Sequence, residues 1–227
     1  MTFFRNMAFF AYTVFLAVWQ QWTAQDIVWS MWASSLLVGG LCVFTSIAFN
    51  SILRKGEITP ADIGRMVGHK KLPPEALEKI AASKESFRVP RALSLLATLF
   101  FLLFFTAHFG GFHYGHAMFL KGFFPLEGLG EKAPVADYAL HCIKLYWPFL
   151  VVSLISYGDT IMKNLRGEGS LSMVEPYKNV VKNHLIIIAI GFMNALELQG
   201  YVLYIVLAFY FFPYEEVFKA RKEDVAL

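Results

Sequence analysis

Ala92–Phe124 reads ALSLLATLFFLLFFTAHFGGFHYGHAMFLKGFF; its only Asp, Glu, Lys or Arg is Lys121, and His108, His113 and His116 occupy it from the midpoint onwards. About 20 apolar residues suffice to cross a hydrocarbon core of about 30 Å, so the stretch is predicted to be a transmembrane helix. Ionisable side chains at such depth are costly unless they face a bundle interior, a cavity or a partner. The three histidines are therefore the best functional pointer in the chain.

The rest of the 227-residue chain agrees with a bilayer as solvent. Hydrophobic residues make up 57% and charged residues 16%, where soluble domains carry roughly 25% charged. A net charge of +3 is too small to suggest a nucleic-acid partner. Cys42 and Cys142 each sit in an apolar run, with neither the number nor the spacing of a zinc site or a disulfide framework. The chain also lacks a phosphate-binding loop, a nucleophile elbow, a His-Glu-x-x-His helix and a haem-attachment motif.

Six apolar stretches are predicted to span: Met7–Trp22, Ile27–Leu53, Ala92–Phe124, Tyr138–Met162, Val180–Leu198 and Tyr201–Phe218. The first reads as a retained helix, since no small-residue cleavage site comes after it. Basic residues set the orientation. Gln20–Asp26 contains no Lys or Arg, whereas Arg54–Arg91 contains nine, which predicts a cytoplasmic loop. Applied along the chain, the same rule puts both termini in the cytoplasm of a multi-pass inner-membrane protein. The expected fold is all-α, a single transmembrane domain over residues 1–227 with six helices. Thr59-Pro60 and Pro73-Pro74-Glu75 predict two short interfacial helices in the 54–91 loop, near residues 59–67 and 74–83.

Helical geometry sorts the histidines. His113 and His116 are neighbours at i, i+3, whereas His108 and His116 are about 80° and 12 Å apart. The third helix runs outward, so His113 and His116 are expected near His141, which begins the fourth helix on that side. Imidazoles with nearby carboxylates bind Zn, Cu or Fe, making His113, His116 and His141 the expected metal ligands. His184 lies early in an outward-running helix and is expected deeper, on the inner side. The competing reading of any buried histidine is a hydrogen bond to a backbone carbonyl or a hydroxyl.

The run His108-Phe-Gly-Gly-Phe through His116 resembles the His-aromatic-Gly-x-Phe-x-x-x-His signature of an uncharacterised family of prokaryotic integral membrane proteins, a domain of unknown function. Pro176-Tyr177 with His184 beyond it resembles a second signature of that family, Pro-Tyr-x-Arg ending in His. The likeness covers Leu93–Gly191, with a weaker part at Trp32–Gly39. It implies interior positions for His108, His116 and His184, and His108 with His184 as the cofactor-binding pair. The chain departs from the pattern in three places. Ser34-Ser35 stands where the family has Glu-Asn, Ser156-Tyr157 where it has Ser-His, and Asn179 where it has Arg.

These readings predict a membrane protein whose histidine-lined interior binds a metal ion, a small cofactor or a substrate. A bis-histidine haem protein and a small-solute transporter are the alternatives, the former because axial imidazoles need two opposed helices. Membrane lipid and a small-molecule ligand are the expected partners.

Overall fold

The computed structural model describes residues 2–49, 57–58, 75, 87–88, 90–130 and 132–167, then 181, 185–186, 188–190, 192–193, 196, 198, 201 and 205–206. Helix α1 spans Thr2–Trp19. A turn with Gln21 at φ 51° leads to Thr23, which caps α2, Ala24–Ser34, through a reciprocal capping box with Asp26. A π-helical turn, Ser35–Gly39, continues it without a break and passes into α3, Gly40–Ala48. The continuous segment Ala24–Ala48 is long and apolar enough to cross a membrane.

The 33-residue α4, Arg91–Phe123, is the helix predicted over Ala92–Phe124, displaced by one residue. Pro90 precedes it and its carbonyl accepts the Ser94 N–H at 3.0 Å; its missing N–H costs no helical bond there, because the first N–H groups of a helix have no intrahelical acceptor. At 1.5 Å per residue α4 is about 50 Å long, so its ends pass beyond the hydrocarbon core or the helix tilts. Helix α5, Val135–Ser156, carries Pro148 and departs from helical geometry at Tyr146 (φ −106°, ψ 16°), as an interior proline requires. The fourth span was expected to run on to Met162. It ends instead at Ser156; Tyr157 adopts φ −95°, ψ 2°, and a separate helix, α6, Gly158–Leu165, begins at a glycine.

Thus Ala24–Ala48, Arg91–Phe123 and Val135–Ser156 can cross a membrane by length and composition, and Met7–Trp19 is a shorter apolar helix. The stretches Val180–Leu198 and Tyr201–Phe218 fall mostly outside the described residues. So do the two expected loop helices, Glu75 apart. Within that loop Glu57–Ile58 (β1) and Phe87–Arg88 (β2) form a two-residue antiparallel ladder, Glu57 opposite Arg88 and Ile58 opposite Phe87.

The chain divides into two compact units: Met1–Val38 with Phe112–Ser156 and Asn179–Leu227, and Gly39–Gly111 with Tyr157–Lys178. In the first unit α1 and α2 pack on α5. Its core is aromatic, with Trp29 stacked on Tyr138 at 5.1 Å and Trp22 edge-on to Tyr146 at 5.6 Å and Phe149 at 5.9 Å. Three indole N–H groups are satisfied, Trp22 by Gln20 Oε1, Trp29 by the Phe124 carbonyl and Trp32 by the His113 carbonyl. Lipid tails are as apolar as the side chains they would displace, so such packing and hydrogen bonds, rather than water exclusion, hold membrane helices together.

In the second unit α3 packs on α6. Asn164 of α6 is buried and donates to the Cys42 carbonyl at 2.9 Å and to Thr45 Oγ1 at 3.2 Å. Gly39 lies against the Phe109 ring so closely that a Cβ there would stand 2.8 Å from Cζ. Phe109 is in turn stacked on Phe105 at 4.8 Å.

Candidate functional site

Within the first unit, α4 turns His113 and His116 inward. Three residues of helix advance by about 300°, leaving the two side chains on adjoining faces of one turn. His113 is 2% exposed and His116 6%; their ring centroids are 6.5 Å apart at 85°. Burying an imidazole in this setting is unfavourable unless its nitrogens find partners. His113 Nε2 lies 3.2 Å from Ser35 Oγ, and its own carbonyl accepts Trp32 Nε1–H at 2.9 Å. The Trp32 ring flanks the imidazole at 6.5 Å, and Phe112 sits edge-on to His116 at 5.7 Å.

Ser35 is placed by the π-helical turn that begins at it. A π-turn inserts an extra residue into the helical ladder and rotates the residues beyond it, and such turns are frequent at functional sites. Two inward imidazoles, a hydroxyl and an indole from facing helices therefore line one locus. A neutral imidazole donates from one nitrogen and accepts at the other, so His113 and Ser35 can exchange donor and acceptor roles or bond a polar guest between them.

A second polar network lies elsewhere in this unit. Tyr146 O–H donates to Asp26 Oδ1 at 2.8 Å, while Thr23 N–H and Oγ1–H donate to Oδ2, each at 2.8 Å. These bonds fix the α2 N-terminus to α5 and account for both carboxylate oxygens. Lys121 Nζ donates to the Ala133 carbonyl and stands 5.2 Å over the Tyr138 ring, which ties the end of α4 to the adjoining loop.

The other expected site residues are placed differently. His141 is half-buried. Among the described residues no three His, Cys, Asp or Glu side chains gather so that they could hold a metal ion, so His113, His116 and His141 do not form the expected ligand set. The physical reason is packing: α5 packs on α1 and α2, and a short connection holds two helix ends near each other without fixing whether, or by which face, the helices pack along their length. His108, for which the signature implied an interior position, is exposed and stacked on Phe104, centroids 5.4 Å apart at 8°. On the helical wheel His108 stands about 140° from His113, which places it on the opposite side of α4. His184 and His69 lie outside the described residues, so the pair His108 and His184 has no described geometry. Gly111 and Gly115, spaced for close helix approach, meet nothing within 4 Å of an added Cβ among the described residues.

A family model for a family of unknown function, DUF6498, matches residues 7–211. The chain belongs to the DUF6498 family. No curated protein and no solved structure matches it. Ser35 and Trp32 were not singled out as site residues from the sequence of this DUF6498 member. The available signal was the weaker likeness over Trp32–Gly39, which coincides with the π-turn facing His113.

Proposed function

We propose that this DUF6498 protein is a six-span inner-membrane protein with both termini cytoplasmic, whose first unit binds a small polar ligand at His113, His116 and Ser35. One observation carries the binding site: a nearly fully buried imidazole is met by a hydroxyl presented from a π-turn, 3.2 Å from its Nε2. Polar groups in a membrane interior are expensive and are found along substrate and ion routes. The density of Lys and Arg in Arg54–Arg91 supports the orientation. The chemistry on offer is hydrogen bonding and proton exchange by two imidazoles and a hydroxyl. A polar solute or cofactor with both donor and acceptor groups fits that set; a metal would have to bring further ligands of its own.

The test is accessibility. In a chain with Cys42 and Cys142 replaced by Ala, Ser35→Cys should react with aminoethyl methanethiosulfonate, a small cationic thiol reagent, in nanodiscs. Adding His116→Phe should slow that reaction by filling the locus. A cysteine at position 35 that stays unmodified while Gly128→Cys in the loop reacts fully would mean that the histidines are structural and the site is closed to solutes.

A further inference from the structure

The break at Tyr157 turns the end of the fourth span into something other than membrane-crossing helix. Helix α6 is eight residues long, and Gly167 at φ 76° closes it, its N–H donating to the Asn164 carbonyl at 2.8 Å. Asn164 fixes the rotation of α6, because its amide is bonded to the Cys42 carbonyl and Thr45 Oγ1 of α3. The side away from Asn164 is open. Met162 is 48% exposed and Leu165 37%, and Lys163, Arg166 and Asp159 are exposed with them. At 100° per residue Leu165, Met162, Arg166, Asp159 and Lys163 succeed one another around the helix. The open surface thus grades from apolar to cationic, two cations against one carboxylate.

We propose that α6 lies in the plane of the membrane surface and docks on anionic phospholipid headgroups, with Met162 and Leu165 inserted beneath them and Lys163 and Arg166 bonded to phosphate. Such a graded face, next to the end of an apolar span, matches how interfacial helices bind: apolar side chains enter the acyl boundary while basic ones meet anionic headgroups. Guanidinium suits phosphate because its planar fork donates two parallel bonds, and ammonium adds a point charge. Asn164 gives the docking its direction by holding the helix from behind.

The experiment uses the full chain in nanodiscs, with Cys42 and Cys142 replaced by Ala and a bimane fluorophore on Met162→Cys. Phosphatidylglycerol carrying brominated acyl chains should quench this label more than an equal fraction of brominated phosphatidylcholine does. Lys163→Gln and Arg166→Gln should each lower that preference by up to about 5-fold, the equivalent of about 1 kcal/mol per basic residue at an anionic surface. Bimane on Thr160→Cys, which is exposed and lies beyond Lys163 around the helix, should respond to aqueous iodide instead. Equal quenching by the two lipids would overturn the headgroup site. Quenching of position 162 by iodide and by neither lipid would overturn the in-plane placement and leave the face to a soluble partner.

Discussion

The two units bury their polar groups for different purposes. In the first, polar side chains link elements far apart in sequence and also form a locus with chemistry: Trp29 reaches Phe124, Trp32 reaches His113, Tyr146 reaches Asp26, and His113 meets Ser35. Among the described residues of the second, the Asn164 amide links α3 and α6, and a neighbouring close approach is the wholly apolar one of Gly39 and Phe109. The difference teaches where to look for function in a chain that is 57% hydrophobic. Apolar surface does not discriminate one helix pairing from another in lipid, so buried polar groups set the pairing, and a surplus beyond that need marks a site.

The largest expected effect breaks the first unit at its centre. Trp29 is fully buried, stacked on Tyr138 and bonded to the Phe124 carbonyl. Trp29→Ala should cost about 3–5 kcal/mol, as large-to-small changes of a buried aromatic do. Trp29→Phe should cost less, because a ring still fills the place and about 1 kcal/mol of hydrogen bonding is lost. Reversible unfolding in mixed micelles measures both. A cost for Trp29→Ala below about 1 kcal/mol would mean that aromatic packing does not hold this unit.

An intermediate effect sharpens the contrast from the other side. A Cβ on Gly39 would stand 2.8 Å from Phe109 Cζ and 3.3 Å from Cε2, and Phe109 is itself held by its stack on Phe105. Gly39→Ala should therefore destabilise by about 1–3 kcal/mol, the range for an overpacked core. Phe109→Leu in the same chain should recover most of it, since the shorter side chain withdraws the clashing atoms. A neutral Gly39→Ala would show that the second unit gives way locally, and that only the first is tightly specified.

How much the sequence made legible depends on the physics of each signal. Helix α4 came within one residue of its predicted limits because a long hydropathy run bounded by Pro90 leaves little choice. The inward faces of His113 and His116 were legible as an i, i+3 pair. The end of α5 was legible but overrun: Ser156-Tyr157-Gly158-Asp159-Thr160 interrupts the apolar run where the helix breaks, whereas the docking of Asn164 on α3 left no local signal. The π-turn at Ser35 leaves no periodic trace either. Ser34-Ser35 attracted notice only as a departure from a family signature, although Ser35 supplies the hydroxyl that His113 meets. His141 was misplaced as a ligand because a short loop fixes where two helices join, not whether they pack on each other; α5 packs on α1 and α2.

The smallest expected effect separates the histidines themselves. His108 and His113 share a helix and a signature, yet the first is exposed and the second is 2% exposed. His108→Phe keeps a flat ring to stack on Phe104, whose plane lies 8° from that of the imidazole, and replaces an ionisable group by one that lipid tolerates. Its stability should stay within about 0.5 kcal/mol of the parent, as for other surface changes. His113→Phe is the counterpart. It forfeits the Ser35 bond and leaves that hydroxyl to find another partner, so a loss of about 1–3 kcal/mol is expected. Both variants are read in one unfolding assay, so the comparison is internal. If His108→Phe proved as damaging as His113→Phe, His108 would have to face an interior or a partner. The inward site would then shift toward the pairing with His184 that the family signature implied.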